Sequence, residues 1–238
     1  MSRRTEPLVL SQTLARSRFL VLLIFLLALF AIYPILPHRT TGQPAIHLDV
    51  ALSAVLLAGL WGVSHRKSVI GSGIALVGLS LGLAFLAHAL ASSAFAVASL
   101  SCALVFFVVI AGTILAHVLR ERDVTTDTIL GGVCAYLLLC LAWALTYSIM
   151  ERFAPGSFGT PGVSLFPPNE AGALLAPELI YYSLFTLTTI GPQTIHPTTG
   201  AAESWTGLEA MAGQFYVAVL IARLVGLHTS QRSGNSGS

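Results

Sequence analysis

The chain is predicted to be an all-α membrane protein, and three observations predict it. Hydrophobic residues fill 55% of its 238 positions and charged residues only 9%, against about 25% charged in an ordinary soluble domain. Mean hydropathy is +0.82. The few charges also avoid long stretches, leaving runs near the ~20 apolar residues that a helix needs to cross a hydrocarbon core. Such a composition excludes a soluble enzyme, a nucleic-acid-binding module and a secreted disulfide scaffold. The net charge of +2 implies no anionic partner; the partner implied is the lipid bilayer.

Six crossings are predicted, at Phe19–Leu36, Ile46–Val63, Val69–Leu90, Phe95–Leu119, Thr128–Met150 and Trp205–Leu227. The first has the basic flank of a signal peptide. Its apolar core is longer than a typical h-region, however, and it ends in Tyr33-Pro34-Ile35-Leu36-Pro37 with no small-residue cleavage site. The second is the shortest. The third carries Gly71, Gly73, Gly78 and Gly82 with Ser72 and Ser80, and its GxxxG at Gly78–Gly82 predicts close helix packing. The fourth lacks the spaced arginines of a voltage sensor, since Arg120 and Arg122 belong to the linker after it. Tyr33, Trp61, Tyr147 and Trp205 lie near span ends, where interfacial aromatic anchors belong. Cys102, Cys134 and Cys140 sit inside apolar runs and read as small buried hydrophobes. His47, Asp49 and His88 match no metal-ligand spacing.

Basic residues orient these spans. Arg3, Arg4, Arg16, Arg18, Arg66, Lys67, Arg120, Arg122, Arg223 and Arg232 all fall on one side if there are six crossings. Only Arg39 and Arg152 fall on the other. The positive-inside rule then places both termini in the cytoplasm of a multi-pass protein of the plasma (inner) membrane.

One apolar segment is too short to cross. After a Pro- and Gly-rich stretch, Glu151–Ala176, the pair Pro177-Glu178 forms a good helix start. The run Leu179–Thr188 follows. A dozen residues at ~1.5 Å each reach about 18 Å, roughly half the hydrocarbon core. The chain must return before Trp205, so Thr188–Pro197 is a non-helical limb at membrane depth. Such backbone is tolerated only when buried in protein or lining a water-filled cavity. A half-helix pointing its negative end at the membrane centre, with free carbonyls beyond it, is how an ion conduit is built.

The residues Tyr181-Tyr182-Ser183-Leu184-Phe185-Thr186-Leu187-Thr188-Thr189-Ile190-Gly191 resemble the pore helix and filter entrance of bacterial six-transmembrane potassium channels. Val124–Gly131 and Leu208–Gly226 resemble the flanking helices, so the likeness spans residues 120–228. It implies a homotetramer in which each copy lends one filter strand. The architecture is like that of voltage-gated channels, without sensor arginines. Thr189 would supply the deepest site through hydroxyl and carbonyl, with Ile190 and Gly191 giving the carbonyls above and Thr188 entering the strand. Gly213 falls at the family's hinge position in the inner helix. Glu209, early in the sixth span, would face protein behind the filter.

The upper filter departs from the family's Thr-Val/Leu-Gly-Tyr-Gly-Asp. Pro192 replaces tyrosine, Gln193 the second glycine and Thr194 the aspartate. Proline lacks an N–H and fixes φ, and glutamine resists positive φ. Passive K⁺ conduction with weakened K⁺/Na⁺ selectivity is therefore expected, with monovalent cations as partners and no cofactor. Glu151, Glu170, Glu178 and Glu203 would make a negative outer vestibule. His196, just past the filter, is either a plain surface histidine or one of four imidazoles that charge between about pH 7 and 5.

The predicted organisation is a cytoplasmic tail (1–17), a four-helix peripheral domain (18–122), a pore domain (123–228) and a flexible cytoplasmic tail (229–238) too short for a ligand-binding domain. The alternative is a non-conducting relative with a collapsed filter, acting in regulation or assembly. A transporter would show paired broken helices in two halves, and the first half has no counterpart of the short segment. A membrane enzyme would need a nucleophile, base or metal set, which the scattered histidines and acids do not assemble.

Overall fold

The computed structural model describes residues 18–32, 52–55, 57–59, 67–121, 124–159, 165–166, 175–191 and 195–235. Its helices are α1 (Arg18–Ile32), α2 (Lys67–Leu90), α3 (Ser93–Arg120), α4 (Thr126–Phe153), α5 (Pro177–Leu187) and α6 (Gly200–Asn235). Among the described residues there is no strand, only an isolated bridge between Phe158 and Pro197. By length and apolarity α2, α3, α4 and α6 are each able to cross a membrane, so the chain is an all-α membrane protein. These four coincide with the third to sixth expected spans. Only α1 represents the first. Most of the second span, the 1–17 tail, Tyr33, Arg39, His47, Asp49, Trp61 and Glu170 lie outside the described residues.

Helices α2 and α3 turn on Ala91 and Ser92 and pair through two serines. Ser99 Oγ donates to the Ser80 carbonyl at 2.8 Å, and Ser80 Oγ to the Ser99 carbonyl at 3.2 Å. Both are buried. Among the described residues the expected GxxxG contact is not what joins α2 to a neighbour. A β-carbon at Gly78 or Gly82 would meet nothing within 4 Å; the small residue that packs is Ser80. Spacing locates a GxxxG on one face, and only the fold decides which face is covered.

The core lies where α3, α4 and α1 meet, around Phe106, Phe107, Ile110, Leu138, Leu141, Leu22 and Leu26. Cys134 is buried there and Cys140 against α5, both as free thiols, as their apolar surroundings predicted, and Cys102 is half-buried. Helix α4 is capped by Thr125, whose side chain accepts the Thr128 N–H. That satisfies one of the first-turn donors that a helix start leaves unpaired.

Helix α6 crosses antiparallel to α4 and touches its neighbours along one stripe. Thr206, Glu209, Gly213, Tyr216, Leu220 and Arg223 recur at three- and four-residue intervals and face inward together. Tyr216 donates to the Gly132 carbonyl at 2.6 Å. Arg223 Nε donates to the Val118 carbonyl at 3.3 Å, and another guanidinium N–H reaches the Glu121 carbonyl. The opposite face carries Leu208, Met211, Phe215, Val219, Ile221 and Val225, all exposed. The helix continues through Asn235, so the segment expected to be a flexible tail is helical up to there.

Candidate functional site

The connection from α4 to α5 is organised by a buried acid. Glu151, fully buried, accepts the backbone N–H groups of Gly156 (2.7 Å), Phe158 (3.0 Å) and Leu165 (3.1 Å). This overturns its expected place in a negative vestibule: its charge is spent on loop amides and does not face solvent. Gly159 N–H donates to the His196 carbonyl at 2.8 Å and Thr198 N–H to the Ser157 carbonyl at 2.9 Å. These bonds bring the chain entering α5 and the chain leaving it to the same end of the bundle.

From that end α5 runs inward. Its start at Pro177, with Glu178 in the first turn, matches the expectation. Three consecutive side chains then reach three different neighbours, because successive residues on a helix point about 100° apart. The Tyr181 hydroxyl donates to the Phe30 carbonyl of α1. The Tyr182 hydroxyl pairs with Thr206 Oγ1 of α6 at 2.6 Å. Ser183 Oγ lies 2.8 Å from the Cys140 carbonyl of α4 and also contacts Glu209 Oε1.

Glu209 is fully buried, and its second oxygen accepts the Tyr147 hydroxyl at 2.6 Å. An acid at this depth persists only when its oxygens are satisfied, and α4 and α5 each supply a hydroxyl. Tyr147 is therefore not an interfacial anchor. It is fully buried, with its ring against Phe158 and Tyr182 at 4.9 and 5.3 Å between centroids. Trp205 is 43% exposed, as an interfacial aromatic would be.

The inner end of α5 meets α4 at Tyr136, whose hydroxyl donates to the Leu187 carbonyl at 2.9 Å. It meets α6 at Gly213. Counting rises along each helix puts this tip about 25 Å from the C-terminal end of α4 and about 20 Å from the start of α6. Gly213 is there because nothing larger fits: a β-carbon would overlap the Leu187 carbonyl oxygen. The glycine at the family's hinge position packs closely here, and α6 is continuous through it.

Beyond Leu187 the backbone leaves the helix. Thr188 N–H and Oγ1 both donate to the Leu184 carbonyl, at 3.1 and 2.7 Å. The Phe185 carbonyl accepts the N–H groups of both Ile190 (2.9 Å) and Gly191 (3.1 Å). Gly191 has φ +84° and Thr189 φ +60°. Positive φ is ordinary for glycine and a genuine outlier for a β-branched residue. Thr189 is exposed, and Ile190 is 64% exposed despite its apolar side chain.

Of the site residues expected from sequence, Thr188, Thr189, Ile190 and Gly191 come together at this tip, beside Gly213. Pro192, Gln193 and Thr194 lie outside the described residues. Glu178 (half-buried), Glu203 (exposed) and His196 (exposed) lie at the end of the bundle that carries the α4–α5 connection. One residue escaped the sequence reading. Gln214 Nε2 donates to Thr189 Oγ1 at 3.2 Å. The signal was a lone amide between Gly213 and Phe215 in an otherwise apolar run. No family model matches the chain, and neither a curated protein nor a solved structure matches it.

Proposed function

We propose that the chain is the subunit of a homotetrameric cation channel of the plasma membrane, conducting K⁺ passively with weakened discrimination against Na⁺. The observation that carries this reading is the tip of α5. Irregular backbone emerges there partway along α4 and α6, bearing an exposed Thr189 and Ile190 beside the uncovered face of α6. Backbone of this kind at membrane depth needs protein or water around it. Further copies around an axis supply both. In that arrangement α5 is the re-entrant pore helix, residues 188–194 the filter, and α6 the inner helix, with the Thr189 hydroxyl and the carbonyls of Thr189, Ile190 and Gly191 as cation ligands. The complete subunit has six crossings and both termini in the cytoplasm, following the charge distribution. Glu178 and Glu203 draw cations to the outer mouth. Weak selectivity follows from Pro192, Gln193 and Thr194, which stand where a tyrosine, a glycine and an aspartate would build the outer sites.

The test is flux from proteoliposomes under K⁺, Na⁺ and choline gradients, together with the mass of the detergent-purified assembly. K⁺ and Na⁺ should move, choline should not, and the assembly should contain four protomers. A monomer, or liposomes silent to both metal ions, would overturn the reading. One observation favours the second reading, a non-conducting relative. The Ile190 and Gly191 N–H groups fold back on the Phe185 carbonyl and do not extend as an open strand. Under that reading the native protein is silent, and Pro192→Tyr, Gln193→Gly and Thr194→Asp together restore current.

A further inference from the structure

Among the described residues, Gln214 is the polar side chain of α6 that bonds to the α5 tip from the uncovered side. Its place there follows from its neighbour. Because Gly213 lets α6 rest directly on the Leu187 carbonyl, the next residue is carried within 3.2 Å of the Thr189 hydroxyl. That hydroxyl is committed twice. Its proton points at the Thr188 carbonyl, 2.7 Å away, and one lone pair accepts the Gln214 amide. A hydroxyl oxygen has two lone pairs, so one remains, on an exposed residue. Thr189 makes both bonds from a left-handed backbone conformation.

We propose that Gln214 is a positioning residue for the innermost cation site, fixing the Thr189 hydroxyl so that it presents its oxygen to a dehydrating monovalent cation. The inference rests on the channel reading above. It adds a residue from α6 to a site otherwise made only by the chain after α5. A free hydroxyl would sample other rotamers and bind the ion less tightly.

The experiment measures the half-saturating K⁺ concentration for flux in liposomes. Gln214→Leu should raise it by about 3- to 10-fold, the value of one hydrogen bond. Gln214→Met, closer in length, should do the same and serves if the leucine variant does not assemble. In a Thr189→Val background the Gln214 changes should have no further effect, whereas Thr189→Ser, which keeps the hydroxyl, should retain the full shift. A general disturbance of α6 would instead act equally in every background. Saturable native flux with an unchanged constant in the Gln214 variants, or an equal shift with and without the hydroxyl, overturns this inference and leaves the channel standing. Absence of any native cation flux overturns both.

Discussion

Replacing Gly213 with alanine tests whether α6 is seated on the end of α5. A β-carbon there would overlap the Leu187 carbonyl oxygen and lie 3.1 Å from both the carbonyl carbon and Cδ1 of that residue. Carbon contacts become favourable only at about 3.5 Å. The obstruction is backbone, so no rotamer change relieves it and the helices must part by roughly 1 Å. Overpacking of this kind costs about 1–3 kcal/mol. The same carbonyl accepts the Tyr136 hydroxyl, and disturbing that bond removes about 1 kcal/mol more. Alanine's better helix propensity offsets about 1 kcal/mol. The net loss is about 1–3 kcal/mol. At Gly207 the same change meets open space, so it keeps the propensity gain without the overlap. Heating the purified protein in detergent while following tryptophan fluorescence compares the two variants. Gly213→Ala should unfold several degrees below Gly207→Ala, since 1 kcal/mol moves the midpoint of a chain this size by about 2–4 °C. Equal midpoints would refute the seating.

Three further outcomes follow from the buried polar contacts. Glu209→Ala removes the short acceptor of Tyr147, leaving it only the Trp205 carbonyl at 3.4 Å while Ser183 keeps the Cys140 carbonyl at 2.8 Å, so it should cost about 1–3 kcal/mol more than Glu209→Gln, which keeps the shape and one acceptor; matching thermal midpoints would contradict this. Glu151→Gln has one acceptor oxygen for three N–H groups, so hydrogen exchange should speed up at Gly156, Phe158 and Leu165 while α2 and α3 stay protected; unchanged protection in the loop would rule out its organising role. The Ser80→Ala and Ser99→Ala pair should show a coupling of about 0.6 kcal/mol in a double-mutant cycle of unfolding, and strict additivity would deny the reciprocal bond.

Local signals in the sequence were reliable where residues adjacent in the chain sufficed to create them. Pro177-Glu178 announced α5, and the apolar runs announced α2, α3, α4 and α6, because a proline at the first turn and a long uncharged stretch act without help from elsewhere. Signals that depend on which side of a helix is covered were not legible. Gly78 and Gly82 have the spacing of a contact yet face away, while Ser80 between them makes it. Tyr147 has an anchor's position in the chain, but α4 is rotated so that its ring is enclosed by Phe158 and Tyr182. Glu151 looked like solvent-facing charge because the loop amides that consume it belong to an irregular turn with no sequence pattern of its own. Gln214 was overlooked for a related reason: its partner lies 25 residues away, and only the contact at Gly213 sets their separation.

The grip of Arg223 on the end of α3 makes the lower third of α6 a strut braced against the α3–α4 elbow. A guanidinium lodged on terminal carbonyls also answers the negative end of the α3 dipole, and each charged bond is worth about 1.5–3 kcal/mol. Levering α6 outward at this level would tear two such bonds. Separating α6 from the end of α3 is therefore costlier at Arg223 than along the apolar turns on either side of it.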